Sequence, residues 1–337
     1  MTKTETRVHP WRGFALRGGG SAIILFLLFR FLPLEQLWER MRQVSPGEWL
    51  QVLAGYLCAH MISVTKWRLM VNLAGAELNW AQAARCYFAG LFGNLFLPSL
   101  VGGDVIRAGI GLKLAQSRAG VLLGSFLDRL LDVAAMAIVA AVGTLLVPGA
   151  LDERSRRIFW FVAAALAVAL AGVMAALWLL ARRGVPFKIR RKLVKVRVAG
   201  RSMAKRPQYV LLALSMGLTA QMTFITMMAV LAAACGLHLE YRLWIFAFPL
   251  AKLSALTPAT LGGIGVREAA LGALLKPFGV AFATAVAIGL MWETIVVAGG
   301  LVGGVITVAA GRKTVAKEDA ERERILSDSL AKHQRKR

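Results

Sequence analysis

The feature that most constrains the fold is a set of long apolar runs that few charged residues interrupt. A helix needs about 20 residues to cross the roughly 30 Å hydrocarbon core of a bilayer, and several runs approach or exceed that length. The clear runs cover residues 49–64, 119–147, 158–181, 209–236 and 281–310, and a weaker first run covers residues 18–34. The sequence therefore predicts an all-α polytopic membrane protein and excludes a water-soluble fold.

The composition agrees with a membrane protein and argues against other classes. Of the 337 residues, 58% are hydrophobic, and the mean hydropathy is +0.62, whereas a soluble domain is nearer half apolar. A net charge of +23 often indicates nucleic-acid binding, but here the basic residues form blocks between the apolar runs. Such blocks are typical of cytoplasmic loops, which lie against anionic lipid heads. We therefore expect membrane lipids as partners and no nucleic acid.

Cysteine and histidine give no sign of metal or redox chemistry. The cysteines are Cys58, Cys86 and Cys235, without a C-x-x-C motif, and the histidines are His9, His60, His238 and His333, without ligand spacing. We interpret the cysteines as small packing residues. The sequence also contains no nucleophile–base pair and no phosphate loop. We therefore expect no metal, no cofactor and no catalytic residue.

The distribution of basic residues predicts which segments face the cytoplasm. Residues 1–17 hold four basic residues and one acid, and residues 182–206 hold eleven Lys or Arg and no acid. The C-terminal residues, 311–337, hold nine Lys or Arg against five acids. By the positive-inside rule these segments are cytoplasmic, and loops 35–48 and 149–157, which have mixed charge, face outward. We expect a multi-pass protein of a bacterial-type cytoplasmic membrane with both termini in the cytoplasm.

Two further apolar regions, 85–118 and 243–277, are broken in the middle by Pro and Gly. Their unbroken pieces are residues 85–97, 105–116, 243–257 and 266–277. At about 1.5 Å per residue, these helices are too short to cross the bilayer. If each region crossed the membrane once, the basic loop 182–207 would lie outside, against the positive-inside rule. The sequence therefore predicts about six full spans and two re-entrant hairpins.

The two broken regions contain the same motif. Residues 98–107 read PSLVGGDVIR and residues 258–267 read PATLGGIGVR, an offset of 160 that the flanking spans keep. Within a membrane domain of residues 18–310, the halves 49–147 and 208–309 each read as a span, a broken hairpin and a span. With the predicted orientation the hairpins enter from opposite sides, so the halves form an inverted repeat. Paired interrupted helices in such repeats indicate a transporter binding site near the midplane.

The chemistry of the motif favours anion binding. Pro ends the incoming helix, and the paired Gly residues let the backbone turn and expose its polar groups. The outgoing helix then starts near Asp104 or Gly265, where free N–H groups and the helix dipole attract anions, and Arg107 and Arg267 add guanidinium groups. The predicted head-group site consists of Gly102, Gly103, Asp104, Arg107, Gly262, Gly263, Arg267 and Glu268. The alternative is that each arginine is tied to carbonyls or acids within its hairpin.

Further charged residues lie inside apolar spans. Asp128, Arg129 and Asp132 share one span, in which the two aspartates lie on the same helix face, and Glu293 lies midway along the last span. Each uncompensated charge at the membrane centre costs about 2.5–3.5 kcal/mol, so these side chains should face the bundle interior. Two interpretations remain open: a proton or cation relay that also contacts substrate, or structural ion pairs with the arginines.

The last span also contains the run GGLVGG, residues 299–304, in which two G-x-x-x-G pairs overlap. This pattern predicts close packing against another helix. The charged segment beyond it, residues 311–337, lacks a firm apolar stripe. We expect it to be a solvated helix or disordered.

At these motifs the chain resembles the lysylphosphatidylglycerol synthetase transmembrane-domain family, also called the flippase-like domain family. The matching stretches are Lys66-Trp67-Arg68, GNLFLPSLVGGDVIR (93–107), DRLLD (128–132) and LTPATLGGIGVREAAL (256–271). The resemblance extends over about residues 15–310. Many members carry Glu where Asp128 stands, which is a mild departure.

The resemblance implies movement of lipids, or of lipid-linked sugars, between leaflets. Some bacterial members of the family fuse this domain to a soluble aminoacyl transferase, and with Arg337 as its last residue the chain is expected to lack that part. We therefore expect a lipid flippase that acts on an anionic phospholipid or a lipid-linked head, and not an enzyme. The alternatives are a membrane component of a lipid-modifying transferase system with a partner enzyme, or a non-transporting scaffold.

Overall fold

The structure is a computed structural model that describes most of the helical part of the chain. The described residues are 38–39, 41–96, 102–149, 206–254 and 265–334, with seven isolated positions between 157 and 175 and with side chains as far as residue 311. The predicted first span, most of the predicted span 158–181 and nearly all of the basic loop lie outside the described residues.

All regular structure in the described part of the chain is helical, and no strand occurs there. The helices are α1 (Pro46–Leu73), α2 (Trp80–Gly93), α3 (Gly102–Leu114), α4 (Arg118–Leu146), α5 (Pro207–Ala234), α6 (Tyr241–Ser254), α7 (Val266–Leu275) and α8 (Phe282–Gln334). By length and composition α4, α5 and the segment Phe282–Gly311 of α8 can cross a membrane. The prediction of an all-α membrane protein is confirmed.

The first long helix, α1, extends beyond its apolar run. It starts at a capping box in which the Ser45 hydroxyl accepts from the Glu48 amide, and the Glu48 carboxylate accepts from the Ser45 amide. The apolar run stops at residue 64, yet the helix continues to Leu73. It continues because Lys66 is buried against carboxylates of α4 and therefore adds no unpaired charge.

Four helices are too short to cross a bilayer. They hold 14 residues in α2, 13 in α3, 14 in α6 and 10 in α7, which correspond to about 15–21 Å at 1.5 Å per residue. The pairs α2–α3 and α6–α7 pack against each other. Both broken apolar regions thus divide into two short helices, as the Pro and Gly residues between them predict.

Helices α1 and α5 pack against each other along their whole length and run in opposite directions. Gly55, near the start of α1, lies against Met227, and Lys66 lies against Gly217. Near the end of α1, Met70 lies in a buried cluster with Ala213, which is close to the start of α5. As residue numbers rise along α1, the numbers of the contacted residues on α5 fall, so the two helices are antiparallel.

The other contacts of the first half recur in the second. Helix α2 packs on α8 as α6 packs on α4, and α3 contacts α4 as α7 contacts α8. The hydrogen bond from Trp49 to Thr294 and the contact between Tyr56 and Gly299 show that α8 runs parallel to α1. Helix α4 runs antiparallel to α1, because Gly120 meets Ala74, Gly124 meets Val71 and Asp128 meets Lys66.

The glycine run of α8 packs inside the chain. Gly299 meets the Tyr56 ring, and the next three glycines, in the segment 300–304, meet Leu95 and the phenylalanines of α2. These glycines let α8 approach α1 and α2 closely, so the predicted close packing is observed. The backbone of α8 then continues as a helix to Gln334.

Candidate functional site

A buried lysine joins α1 to α4. The ammonium of Lys66 lies 2.7 Å from a carboxylate oxygen of Asp128 and 2.7 Å from one of Asp132. The side chains of Lys66 and Asp128 are each only 1% exposed. The i, i+4 spacing predicted that both aspartates lie on one face of α4. The ammonium of Lys66 contacts both carboxylates on that face.

Arg107 extends this group to α3. Its guanidinium lies 2.9 Å from Asp104 and 3.3 Å from Asp128, and Arg129 lies 3.5 Å from Asp104. The first ion-pair cluster therefore comprises the cations Lys66, Arg107 and Arg129 and the carboxylates Asp104, Asp128 and Asp132. Its formal charges cancel, which lowers the free-energy cost of placing these groups inside an apolar bundle.

The guanidinium of Arg107 also lies between two aromatic rings, 5.3 Å from the centroid of Trp67 and 5.3 Å from that of Tyr87. Cation–π contacts of this kind favour a planar guanidinium in a desolvated site. Two carboxylates and two ring faces thus hold the guanidinium of Arg107 in place.

The start of α3 is held by the end of α2. Helix α3 begins at Gly102, and the amide of Gly103 donates to the Asn94 side chain at 2.9 Å. A Cβ added at Gly90 would lie 2.6 Å from the Gly103 carbonyl oxygen. The glycines thus let the two helices meet backbone to backbone, and one amide of the predicted free set already has a partner.

The second ion-pair cluster comprises Arg267, Glu268 and Glu293. The guanidinium of Arg267 lies 2.8 Å from Glu268 and also contacts Glu293 of α8. Glu268, which is fully buried, accepts from the Gly265 amide at 2.6 Å and so caps α7. Gly265 has φ +88°, a conformation that favours glycine. The predicted site residues Gly262 and Gly263 lie outside the described residues.

Both predicted arginines are therefore paired with carboxylates in this structure. Of the two interpretations that the sequence left open, ion pairing with acids is the one observed for Arg107 and Arg267. The same holds for the acids in the spans: Asp128 and Asp132 pair with Lys66, and Glu293 pairs with Arg267. Whether these groups also bind a head group or relay protons stays a prediction.

A row of rings links the two clusters. The hydroxyl of Tyr87 lies 3.2 Å from Nδ1 of His60, and the His60 ring lies 4.5 Å from that of Tyr56. The Tyr56 ring in turn lies 5.8 Å from that of Trp292, the residue before Glu293. Since Tyr87 also contacts Arg107, the two clusters lie in one central region of the bundle.

Sequence reasoning missed several residues of this region, chiefly Lys66, His60, Gln221 and Lys252. Lys66 lies just beyond the apolar run 49–64, where hydropathy gives no sign of burial, although Asp128 and Asp132 inside an apolar span require a cation. Lys252 lies inside an apolar piece, and the rule that identified Glu293 as a buried charge applies to it equally. His60 and Gln221 carry no comparable signal. Among the described residues no group of His, Cys, Asp or Glu could hold a metal ion.

Helices long enough to cross a membrane, two pairs of short helices and ion pairs between helices define an all-helical polytopic membrane protein with charged groups inside its bundle. The chain belongs to the family described as lysylphosphatidylglycerol synthase TM region, whose model matches residues 14–304. The resemblance found in the sequence is thereby confirmed. A search of curated proteins finds no match to the chain.

Proposed function

We propose that the protein is a lipid flippase, which moves an anionic phospholipid or a lipid-linked head across the cytoplasmic membrane. Membership of the family supports a role connected with membrane lipids. The observation that carries the proposal is that each pair of short helices holds an arginine in an ion-pair cluster with a long helix, and that a row of rings connects the two clusters. The preferred partners are membrane lipids with anionic heads.

The direction of the helices supports an inverted repeat. Helix α2 returns along α1, since the side chain of Arg68 bonds to Leu78 and that of His60 to Tyr87. Helix α6 returns along α5 in the same way, from Tyr241 onward. Because α1 and α5 are antiparallel, the two hairpins enter the bundle from opposite ends. This is the arrangement in which transporters bind a substrate near the midplane.

The basic segments supply the orientation in this proposal. With residues 1–17, 182–207 and 311–337 in the cytoplasm, the α2–α3 hairpin enters from the cytoplasmic side and the α6–α7 hairpin from outside. Each hairpin then reaches the centre from one leaflet. A lipid head can pass from one to the other while its acyl chains stay in the bilayer.

The ion pairs give the head group a way to bind and leave. A phosphate that approaches Arg107 or Arg267 competes with the carboxylates that now hold the guanidinium groups. Because each arginine has two carboxylate partners, it can exchange one of them for the head group and keep the other. Such exchange limits the binding energy, which suits a site that must release its substrate on both sides.

The test is lipid flipping in proteoliposomes reconstituted with purified protein. Arg107→Ala and Arg267→Ala are expected to abolish flipping of an anionic phospholipid, with the variants still eluting as monodisperse protein. Arg242→Ala is the matched control, because Arg242 is 52% exposed and, within the described ranges, forms its ion pair with Glu240 just before α6. Wild-type flipping rates in both variants would contradict the proposed site.

We also propose that the protein performs no covalent chemistry by itself, and that any lipid modification belongs to a partner enzyme. The same proteoliposomes test this point, since mass spectrometry of the recovered lipid reports any change in its covalent structure. A modified lipid in the absence of another protein would favour the transferase alternative. A protein that moves no lipid but is required for assembly of a partner would favour the scaffold.

A further inference from the structure

Lys252 differs from Lys66, Arg107 and Arg267 because it contacts a carboxamide and aromatic rings, whereas they form ion pairs with carboxylates. Its ammonium donates to Oε1 of Gln221 at 3.0 Å and lies over the rings of Phe224 and Phe248, 4.8 and 5.7 Å from their centroids. No carboxylate within the described ranges pairs with it. The side chains of Lys252 and Gln221 are only half-buried, so a ligand can reach them.

The carboxylates of the central region are already engaged elsewhere. Asp132 is held by Lys66 at 2.7 Å. The two glutamates of the second ion-pair cluster are held by Arg267. Ring faces offset only part of the cost of placing an ammonium in an apolar bundle. The position of Lys252 is therefore suited to an anion that comes from outside the chain.

A second polar group in the same place also lacks a partner. His60 is 9% exposed, and its Nε2 atom has no hydrogen-bond partner among the described residues. When the Tyr87 hydroxyl donates to Nδ1, Nε2 carries the hydrogen and can donate to a ligand. The His60 ring lies 5.2 Å from that of Phe224, the ring that also carries Lys252.

Lys252, Gln221 and His60 come from three different helices, α6, α5 and α1, and both α6 and α1 pack on α5. Gln221 accepts from Lys252, and the ring of Phe224, one turn further along α5, contacts both Lys252 and His60. The three polar side chains are thus brought together by the packing of these helices.

We propose that Lys252, Gln221 and His60 form an anion subsite that binds the phosphate group of the transported head. The ammonium, the carboxamide N–H groups and the imidazole Nε2–H are all donors, and phosphate oxygens are acceptors. This inference rests on the proposed function and deepens it. It assigns the midpoint of transport to Lys252, while Arg107 and Arg267 contact the head nearer the two hairpins.

The experiment measures binding of short-chain phosphatidylglycerol to the purified full chain in a neutral detergent by isothermal titration calorimetry. Lys252→Met is expected to weaken binding roughly ten- to hundredfold, the range for loss of a charge-assisted hydrogen bond. Lys252→Arg keeps the charge and is expected to stay within about threefold of the unmodified protein. Lys276→Met, which removes an exposed lysine of the same half, is the matched control.

Inorganic phosphate identifies the part of the ligand that is recognised. If it displaces the lipid, the subsite binds the phosphate group whatever its source. If it does not, the glycerol head is required and the ligand is a lipid. Both results support the subsite, provided that Lys252→Met removes the binding.

Three results overturn the inference: Lys252→Met binds the lipid as the unmodified protein does, Lys276→Met loses as much affinity as Lys252→Met, or the unmodified protein binds no phosphatidylglycerol. Removal of an unpaired cation should leave the melting temperature unchanged or raise it. If Lys252→Met does not fold, Gln221→Leu replaces it, with a smaller expected loss of binding.

Flipping assays separate the failure of this inference from that of the proposed function. If Lys252→Met flips lipid at the wild-type rate while Arg107→Ala does not, the subsite is wrong and the flippase proposal stands. If the unmodified protein flips no lipid but binds phosphatidylglycerol through Lys252, the subsite stands and the flippase proposal fails.

Discussion

The two hairpins carry the same motif but compensate their arginines differently. In the first ion-pair cluster three cations meet three carboxylates, whereas in the second a single arginine meets two carboxylates. The carboxylates of the first come from α3 and α4, and those of the second come from α7 and α8. The motif therefore supplies the arginine in both halves, while the counter-charges come partly from the short helices α3 and α7 and partly from the long helices α4 and α8.

The helix starts differ in a related way. The neutral side chain of Asn94 bonds to the amide of Gly103 at the start of α3, so no carboxylate is used there. In the second hairpin Glu268 both caps α7 and pairs with Arg267. By formal count, the second cluster keeps one excess negative charge. Three substitutions test whether this difference matters energetically.

Asp128→Asn should have the largest effect on stability. It removes the carboxylate that Lys66 and Arg107 share. The first ion-pair cluster, which is formally neutral in the unmodified protein, then carries one excess positive charge. Breaking a buried ion pair from one side typically costs about 3–5 kcal/mol. The free energy of unfolding in mixed detergent micelles measures the loss. Glu240→Gln, at a position exposed in the structure, is the control and should change little.

Gly103→Ala should have an intermediate effect, and it tests the close approach of α2 and α3. A methyl group there would overlap the Gly90 carbonyl oxygen and the Asn94 side chain, which bonds to the same residue. Overpacking of this kind costs about 1–3 kcal/mol.

Gly109→Ala is the matched control on the same helix. A Cβ at Gly109 meets nothing within 4 Å, so the helix should gain about 0.5–1 kcal/mol from the lower backbone entropy of the unfolded chain. Opposite signs for the two glycines, read from the same unfolding assay, support backbone contact in the first hairpin. A neutral Gly103→Ala would show that the helices separate readily.

The fold could be predicted to a useful depth from the sequence. Apolar runs, basic blocks and the duplicated motif identify a helical membrane protein with two broken regions, because the bilayer imposes helix length and forbids exposed backbone. The boundaries were less predictable. Helix α1 continues past residue 64 because carboxylates distant in sequence neutralise Lys66, and local hydropathy contains no such information.

The candidate site was predicted only in its charged residues. Arg107 and Arg267 were recognised from the repeated motif, and Asp128 and Glu293 because charge inside an apolar run is costly. Their pairing depends on which helices are neighbours, and this follows from tertiary packing. His60 escaped attention for the same reason, since its position between Tyr56 and Tyr87 becomes apparent only when α1 and α2 are side by side.

Glu268→Gln should have the smallest effect of the three, although Glu268 is as deeply buried as Asp128. The carboxamide oxygen still accepts from the Gly265 amide, so the cap of α7 is kept. Arg267 retains Glu293, and the formal charge of the second ion-pair cluster changes from −1 to zero. The loss of one charge-assisted hydrogen bond is thus partly offset, and a net cost of about 1 kcal/mol follows.

A comparison of Glu268→Gln with Asp128→Asn tests whether counter-charge governs stability, because both changes replace a buried carboxylate by its amide. If counter-charge governs stability, Asp128→Asn costs clearly more, since it unbalances a neutral cluster while Glu268→Gln balances a charged one. Equal losses in the same unfolding assay would mean that the desolvated hydrogen bonds, and not the net charge of each cluster, hold the hairpins. A larger loss for Glu268→Gln would identify the cap of α7 as the dominant contribution.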